Sequence, residues 1–499
     1  MKTRLPFDKK FLIWCLTLLV VGVLLLKVSS GAAFALMIPL MLWAIGTNKS
    51  EYLFFFLLMT VVYMTGNNKV ISKNGVFWLC ERGMMLMLAL VMSLQILGRR
   101  NSRLIVPLMG LLIYLAYMII PSMAGWSPLI SGLKLYMFTS VFLAYYGIAN
   151  RVIMDERYNI YRIRSVMLAY AVFLLVGSVM LIPFPGIGQM SPYEMSAEDL
   201  AAHLAEGGTS LFMGVTSHSQ LLGPLTAIVG VMVLGDFLFS MRKFNWVYAI
   251  LNLCPIILIY KASSRTAMAS YLIGVVILIF CFMNARGIRR IWRFKVVNFS
   301  IFCAVLALLS ALLVPQVREK VLKFALKYGG ADANVKQMTL EDVTSTRQGK
   351  WDEGIYNWKK SPAIGNGFQV APEMSVIRGD NLNELMSAPV EKSIWISAVL
   401  EEGGVFGLII FVLWLLYVAT QFWKRHVYIG LSCFLTMVVI NLGEFSIFSM
   451  GYTGGILWAT IIAAIVMDAQ RYKQEQKEKR DKEIQEMTMR QMLAGWING

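Results

Sequence analysis

The chain has 499 residues, 58% hydrophobic and only 15% charged, with a mean hydropathy of +0.63. A soluble fold of this length has no use for so much apolar side chain, and strict apolar–polar alternation is absent, which argues against a β-barrel. Runs of about 17–25 apolar residues each suffice to cross a bilayer as a helix, so the expectation is an all-α polytopic membrane protein.

About fourteen transmembrane helices are expected, at 11–27, 31–47, 51–65, 76–98, 104–121, 128–148, 163–183, 217–240, 245–261, 266–284, 297–315, 396–423, 427–447 and 453–469. Two lysines, the apolar run Phe11–Leu26 and the small-residue stretch GAAFA resemble a signal peptide. The run is long and a second follows at once, so it reads as an uncleaved first span. Residues 1–210 hold about seven N-terminal spans with an acidic outer loop at 184–216. Core spans occupy 211–315, a large external loop 316–395, the last spans 396–469 and a basic tail 470–499.

With the N-terminus in the cytoplasm, the basic clusters GRRNSR, MRKF, RGIRRIWRFK, KRH and RYKQEQKEKR all fall on the inner side. This is the positive-inside pattern. It makes the net charge of +17 a matter of topology and not of nucleic acid, and puts both termini in the cytoplasm. The tail is expected beside anionic lipid heads.

Cys15, Cys80, Cys254, Cys281, Cys303 and Cys433 lie in apolar segments without CxxC spacing, and read as small hydrophobes in packed helices. The three histidines are scattered, and neither HExxH nor DxD occurs, so no metal and no cofactor are expected.

Ionisable residues at bilayer depth are costly and mark functional candidates. Here they crowd the outer third: Glu81 and Arg82, Lys134, Lys261 and Arg265, Glu401 and Glu402, and Glu444, with Asp236 the exception near the inner end. A transporter or flippase of a lipid-linked oligosaccharide, the rival of another class, would place polar groups at the midplane and show an internal repeat. The outer bias instead suits an enzyme acting at the external face on a membrane-held substrate with an anionic head. A non-catalytic scaffold of an export complex is the third reading.

In the outer loop, QVREKVLKFALKY at 316–328 reads as an amphipathic helix on the bilayer surface. Ser345 or Thr346 can cap a helix starting near Arg347, in which Arg347, Trp351 and Trp358 share a face. Pro362 ends that helix and Gly365-Asn-Gly367 turns sharply. Arg265 and Arg347, on separate segments, can clamp a diphosphate, since guanidinium forks match phosphate oxygens and stay charged. Were the diphosphate the leaving group, they would also stabilise the charge that develops on it. A base must then activate an acceptor hydroxyl. Glu391, in APVEKSIWISAVLEEGG, is one candidate, although Lys392 beside it can depress its pKa; His218, in GVTSHSQLLGP, is the rival. Lys261, His218, Gln220, Trp351, Lys350, Lys392 and Arg82 are candidates for substrate binding.

Four stretches resemble the superfamily of O-antigen ligases and Wzy-type O-antigen polymerases. They are MGVTSHSQLLGP at 213–224, SSRTA at 263–267, TRQGKWDEGIYNWKKSPAIGNGF at 346–368 and EKSIWISAVLEEGGVFGLIIF at 391–411. The last ends in a Glu-x-Gly-x-x-Gly pattern at Glu402, Gly404 and Gly407. The resemblance covers about 210–425 and implies a GT-C-like, inverting, metal-independent glycosyltransferase of the bacterial inner membrane. Its members move glycan from an undecaprenyl-diphosphate carrier to a glycan or glycolipid acceptor at the periplasmic face. It also implies that Arg265 and Arg347 engage the diphosphate. Ligases place a His-Asn pair before the re-entry helix, where this chain has Glu391-Lys392. That departure points to a polymerase before a ligase.

Overall fold

The computed structural model describes residues 7–47, 49–94, 101–155, 160–189, 211–240, 246–286, 351–372, 392, 394–443, 445–449 and 453–497. Among them 81% are helical and none lies in a strand. Among the described residues the only pairings of extended backbone are the isolated bridges Gly66–Thr216 and Gln189–Phe212.

In chain order the helices are α1 (Lys9–Val28), α2 (Ser30–Gly46), α3 (Ser50–Thr65), α4 (Gly75–Leu94), the broken run α5 (Val106–Ala124), α6 (Pro128–Met154) and α7 (Ile160–Met180). Then come α8 (Ser219–Ser240), α9 (Trp246–Lys261), α10 (Arg265–Arg286), the short α11 (351–358), α12 (Trp395–Lys424), α13 (Tyr428–Ile440) and α14 (Thr453–Ile497). Eight of these, α1, α5, α6, α7, α8, α10, α12 and α14, are long and apolar enough to cross a membrane. Four further apolar helices, α2, α3, α9 and α13, are shorter. The chain is a polytopic membrane protein, with helices and no strands among its described residues. The expected span at 297–315 and the amphipathic segment 316–328 lie outside the described residues.

Apolar side chains encircle these helices, so burial rather than amphipathicity sorts them. The apolar window of α14 is wholly buried and that of α8 89% buried, which makes them central posts. For α1, α12 and α10 the share is 28%, 33% and 39%, so they form the rim. There Leu272, Val276, Phe280, Leu413 and Leu416 stay exposed, an apolar surface suited to lipid.

The bundle has two ends. At one, both terminal segments emerge, and ion pairs tie the helices together. Arg162 bonds Glu51 at 3.0 Å and Asp8 at 3.3 Å. Arg164 meets Asp236 at 2.6 Å, and the Tyr248 hydroxyl donates to the same carboxylate at 2.5 Å, joining α7, α8 and α9. Asp468 pairs with Arg471 at 3.2 Å and accepts from the Gly430 amide at 2.9 Å. The expected position of Asp236 agrees with this end. The opposite, or loop, end gathers the segments around 66–73, 124–127, 212–218, 261–266, 361–372 and 441–449. There the Ser217 amide donates to Thr65 O, the Trp126 amide to Asn366 O and the Trp395 amide to Asn441 O. The basic tail continues α14 as one helix of 45 residues with Tyr472, Ile484, Met487, Met489 and Met492 exposed.

Candidate functional site

The stretches singled out in sequence converge at the loop end through two constructions. The first is a break in α12. Gly404 sits at φ 65°, ψ −167° inside an otherwise helical segment, which frees backbone groups on both sides of it. In a membrane protein such groups need partners within the protein. The Glu401 carbonyl accepts from the Asn366 amide at 2.9 Å and the Glu402 carbonyl from the Gly367 amide at 3.1 Å. The Gly403 carbonyl accepts from the Tyr117 hydroxyl at 2.7 Å. The Val405 amide donates to Pro362 O at 2.9 Å and the Phe406 amide to Ala363 O at 3.4 Å. The loop Pro362–Gly367 therefore completes the break. Approach is so close that a methyl on Gly404 would overlap the Ala363 carbonyl, and one on Gly365 (φ 80°) the Glu402 carbonyl. Gly365 and Gly367 both have positive φ, as the expected sharp turn requires.

Beside this break lies a buried cluster of charges. Lys392 Nζ is 3.3 Å from Glu401 Oε1 and 3.1 Å from Glu402 Oε1. Lys134, also buried, acts on Glu402 as a second cation and donates to the Gln369 carbonyl at 2.9 Å. Two ammonium groups thus balance two carboxylates, which meets the requirement that buried charges be paired. Burial pulls the Lys392 ammonium down, but Glu402 and Glu401 outweigh that and hold it above the ordinary lysine value. Its charge is committed to them, so it has little left with which to depress a neighbouring carboxylate.

The second construction is the corner between α9 and α10. Lys261 closes α9 and is exposed, Ser263 turns the chain at φ 51°, and Arg265, half-buried, opens α10. Two of the small residues around Arg265 are used in packing. Ser264 lies against Gly223 of α8, where a methyl would overlap its Cβ, and Thr266 lies against Gly443. The Gly223 contact joins SSRTA to the 213–224 stretch. There the His218 carbonyl accepts from the Leu221 and Leu222 amides, and His218 Nδ1 accepts from the Gln220 amide at 3.1 Å. A ring nitrogen that accepts this bond carries no proton, so in the neutral ring the proton is on Nε2.

Other expected site residues stand apart. Arg82 stacks on the Trp78 ring at 5.2 Å, beside the buried Glu81 and within its field. Trp351 lies in α11 and is half-buried. The helix docks by Gly354, against Ser397, and by Asn357, whose Nδ2 is 3.5 Å from Glu401 Oε1. The half-buried Trp358 donates from Nε1 to Pro362 O at 3.0 Å. Arg347, Lys350, Glu391 and Glu444 lie outside the described residues.

Sequence reasoning missed the turn 441–449, which joins the two constructions. The Phe445 amide donates to Lys392 O at 3.1 Å, while Gly443 seats on Thr266. Asn441 Oδ1 holds the turn closed by accepting from the Ser446 and Ile447 amides at 2.7 and 2.8 Å. The rings of Tyr114, Phe138, Phe368, Phe411 and Phe445 surround Phe448, with centroids 5.0–5.7 Å away, and bed the turn on the bundle. The signal was present in NLGEFSIFSMGYTGG, a glycine- and serine-rich break between two spans. Among the described residues no three His, Cys, Asp or Glu side chains group as metal ligands. The chain matches no protein-family model and no curated protein.

Proposed function

We propose that this protein is a glycosyltransferase that extends or transfers glycan from an undecaprenyl-diphosphate-linked donor, at the periplasmic face of the bacterial inner membrane. The loop end of the bundle would meet that face, both termini would lie in the cytoplasm, and about fourteen crossings would complete a GT-C-like architecture. The observation that carries this reading is convergence. The stretches that resemble O-antigen polymerases and ligases are far apart in the chain, yet Gly223 meets Ser264 and the loop 362–367 completes the break beside Glu401 and Glu402.

In the reaction, the acceptor hydroxyl oxygen attacks the anomeric carbon of the donor sugar from the face opposite the diphosphate. The bond from that carbon to the diphosphate oxygen breaks, and undecaprenyl diphosphate leaves with the electron pair. A single displacement inverts the anomeric configuration. Arg265 and Arg347 hold the diphosphate and stabilise the charge growing on it. The hydroxyl proton passes to a base. Two observations favour Glu391 over His218 for that role: His218 Nδ1 is engaged by the Gln220 amide, and Lys392 next to Glu391 is already neutralised.

Polymerase leads ligase because Glu391-Lys392 stands where ligases carry a His-Asn pair. Removing the gene and identifying the carrier lipid that accumulates tests both. A carrier bearing one repeat unit supports the polymerase. Long glycan on the carrier supports the ligase. An unchanged pool of carrier lipids overturns the reading.

A further inference from the structure

We infer that Lys392 is a positioning residue that couples the outer loop to the Arg265 corner. Its side chain and main chain bind different pieces of the loop end. The ammonium is held between Glu401 and Glu402, the last two residues before the broken part of α12. Those residues present the carbonyls that receive the Asn366 and Gly367 amides, so the ion cluster and the docking of the loop 362–367 share one short piece of backbone. The Lys392 carbonyl receives the Phe445 amide, and two residues from Phe445, Gly443 seats on Thr266, the residue after Arg265. The Trp395 amide, bonded to Asn441 O, ties the start of α12 to the same turn. One side of Lys392 thus fixes the loop and the other fixes the corner.

The arrangement is costly to build for packing alone. Two adjacent carboxylates and two ammonium groups are buried where apolar side chains would pack at least as well. A buried ionic cluster gains over apolar packing in specifying one register, because displacement of any member leaves a charge unpaired. Register is what a site divided between a loop and a helix corner requires. Lys134 extends the same logic: its bond to Gln369 O pins the chain just after the loop, where Gln369 itself has φ 52°.

The inference rests on the proposed function only for its effect on turnover; the positioning itself is measured without substrate. Hydrogen exchange of the full-length protein in detergent compares wild type with Lys392→Met, and with Lys392→Met/Glu401→Gln, which removes the ammonium together with one carboxylate and leaves Glu402 balanced by Lys134. In the folded variants, amides in 361–369 and in 441–449 are expected to exchange at least ~10-fold faster, while the Gly430 amide at the far end keeps its protection. Lys392→Arg is expected to restore both segments. Wild-type protection of both segments in the folded double variant overturns the inference, as does uniform deprotection of the whole bundle in that variant. If glycan transfer is established, Lys392→Met is expected to lower kcat more than it raises KM. If the segments loosen but no transfer is found, positioning stands and the functional reading falls.

Discussion

The break at Gly404 and the corner at Arg265 look alike in sequence: both are short runs of small residues that interrupt apolar spans, with charge beside them. In the structure they differ in how far their charges are buried. At the break each carbonyl of residues 401–403 and each amide of 405 and 406 has a partner in another segment, and the charges beside it are buried and balanced. At the corner, Ser264 and Thr266 are spent on packing, whereas Lys261 is exposed and Arg265 only half-buried. Small residues therefore serve close approach of backbone in both places. Of the Gly404 cluster and the corner, the corner holds the more exposed cations.

This contrast is sharpest under substitution. Gly404→Val should have the largest effect, since it combines a positive φ with overlap of the Ala363 carbonyl. Backbone strain of about 1–3 kcal/mol and overpacking of similar size add at one position, and little folded protein should be recovered by size-exclusion chromatography of detergent extracts. Near-normal recovery would show the break to be adaptable. Arg265→Ala should do the reverse. Glycan transfer should fall by at least about 100-fold, as expected for loss of a group stabilising transition-state charge. Folded yield and melting temperature should stay near wild type, and Arg265→Lys should recover part of the activity.

Gly223→Ala probes the packing half of the corner. Its methyl meets the Ser264 side chain, so thermal stability should drop by about 1–3 kcal/mol. Ser264→Gly in the same chain should restore most of it, and failure of that rescue would mean the two helices part instead of clashing. The smallest effect is expected away from both regions. Burial lowers the Lys73 ammonium to about 8, with Glu81 pulling it back up. The unfolded chain then binds more protons than the folded one between pH 8 and the ordinary lysine value. The charging penalty is present below about pH 8, and stability rises with pH through that window. Lys73 is partly exposed, which limits the gain to roughly 1 kcal/mol. The rise should be absent in Lys73→Met, followed by thermal unfolding against pH.

Much of the frame was legible in the chain. Uninterrupted apolar runs gave the helices, and counting charges loop by loop separated the two ends. Asp236 falls at one and Lys134, Lys261, Arg265, Glu401 and Glu402 at the other, because a helix that crosses must alternate its loops. The sharp turn at Gly365-Asn-Gly367 was legible too, since few other residues accept its backbone angles. The partners of those motifs were not. Nothing local in SPAIGNG says that its amides bond to carbonyls of Glu401 and Glu402, or that Lys392 turns toward those carboxylates and not toward a substrate. The amide pairings span 35 residues and the Lys392 pairs 9 and 10, and both arise only when the bundle closes. The continuation of α14 beyond the bundle was hidden for another reason: the change from apolar to charged residues marks the edge of burial, not the end of a helix.

The most direct test of a diphosphate-engaging site at the loop end uses the purified protein in liposomes with an undecaprenyl-diphosphate-linked glycan and a glycan acceptor. Release of undecaprenyl diphosphate is followed for wild type and Arg265→Ala. Glycan transfer at the corner predicts release by wild type in step with growth of the acceptor, and at least about 100-fold less by the folded variant. Equal release by both, or movement of the intact donor across the bilayer without release, would contradict it.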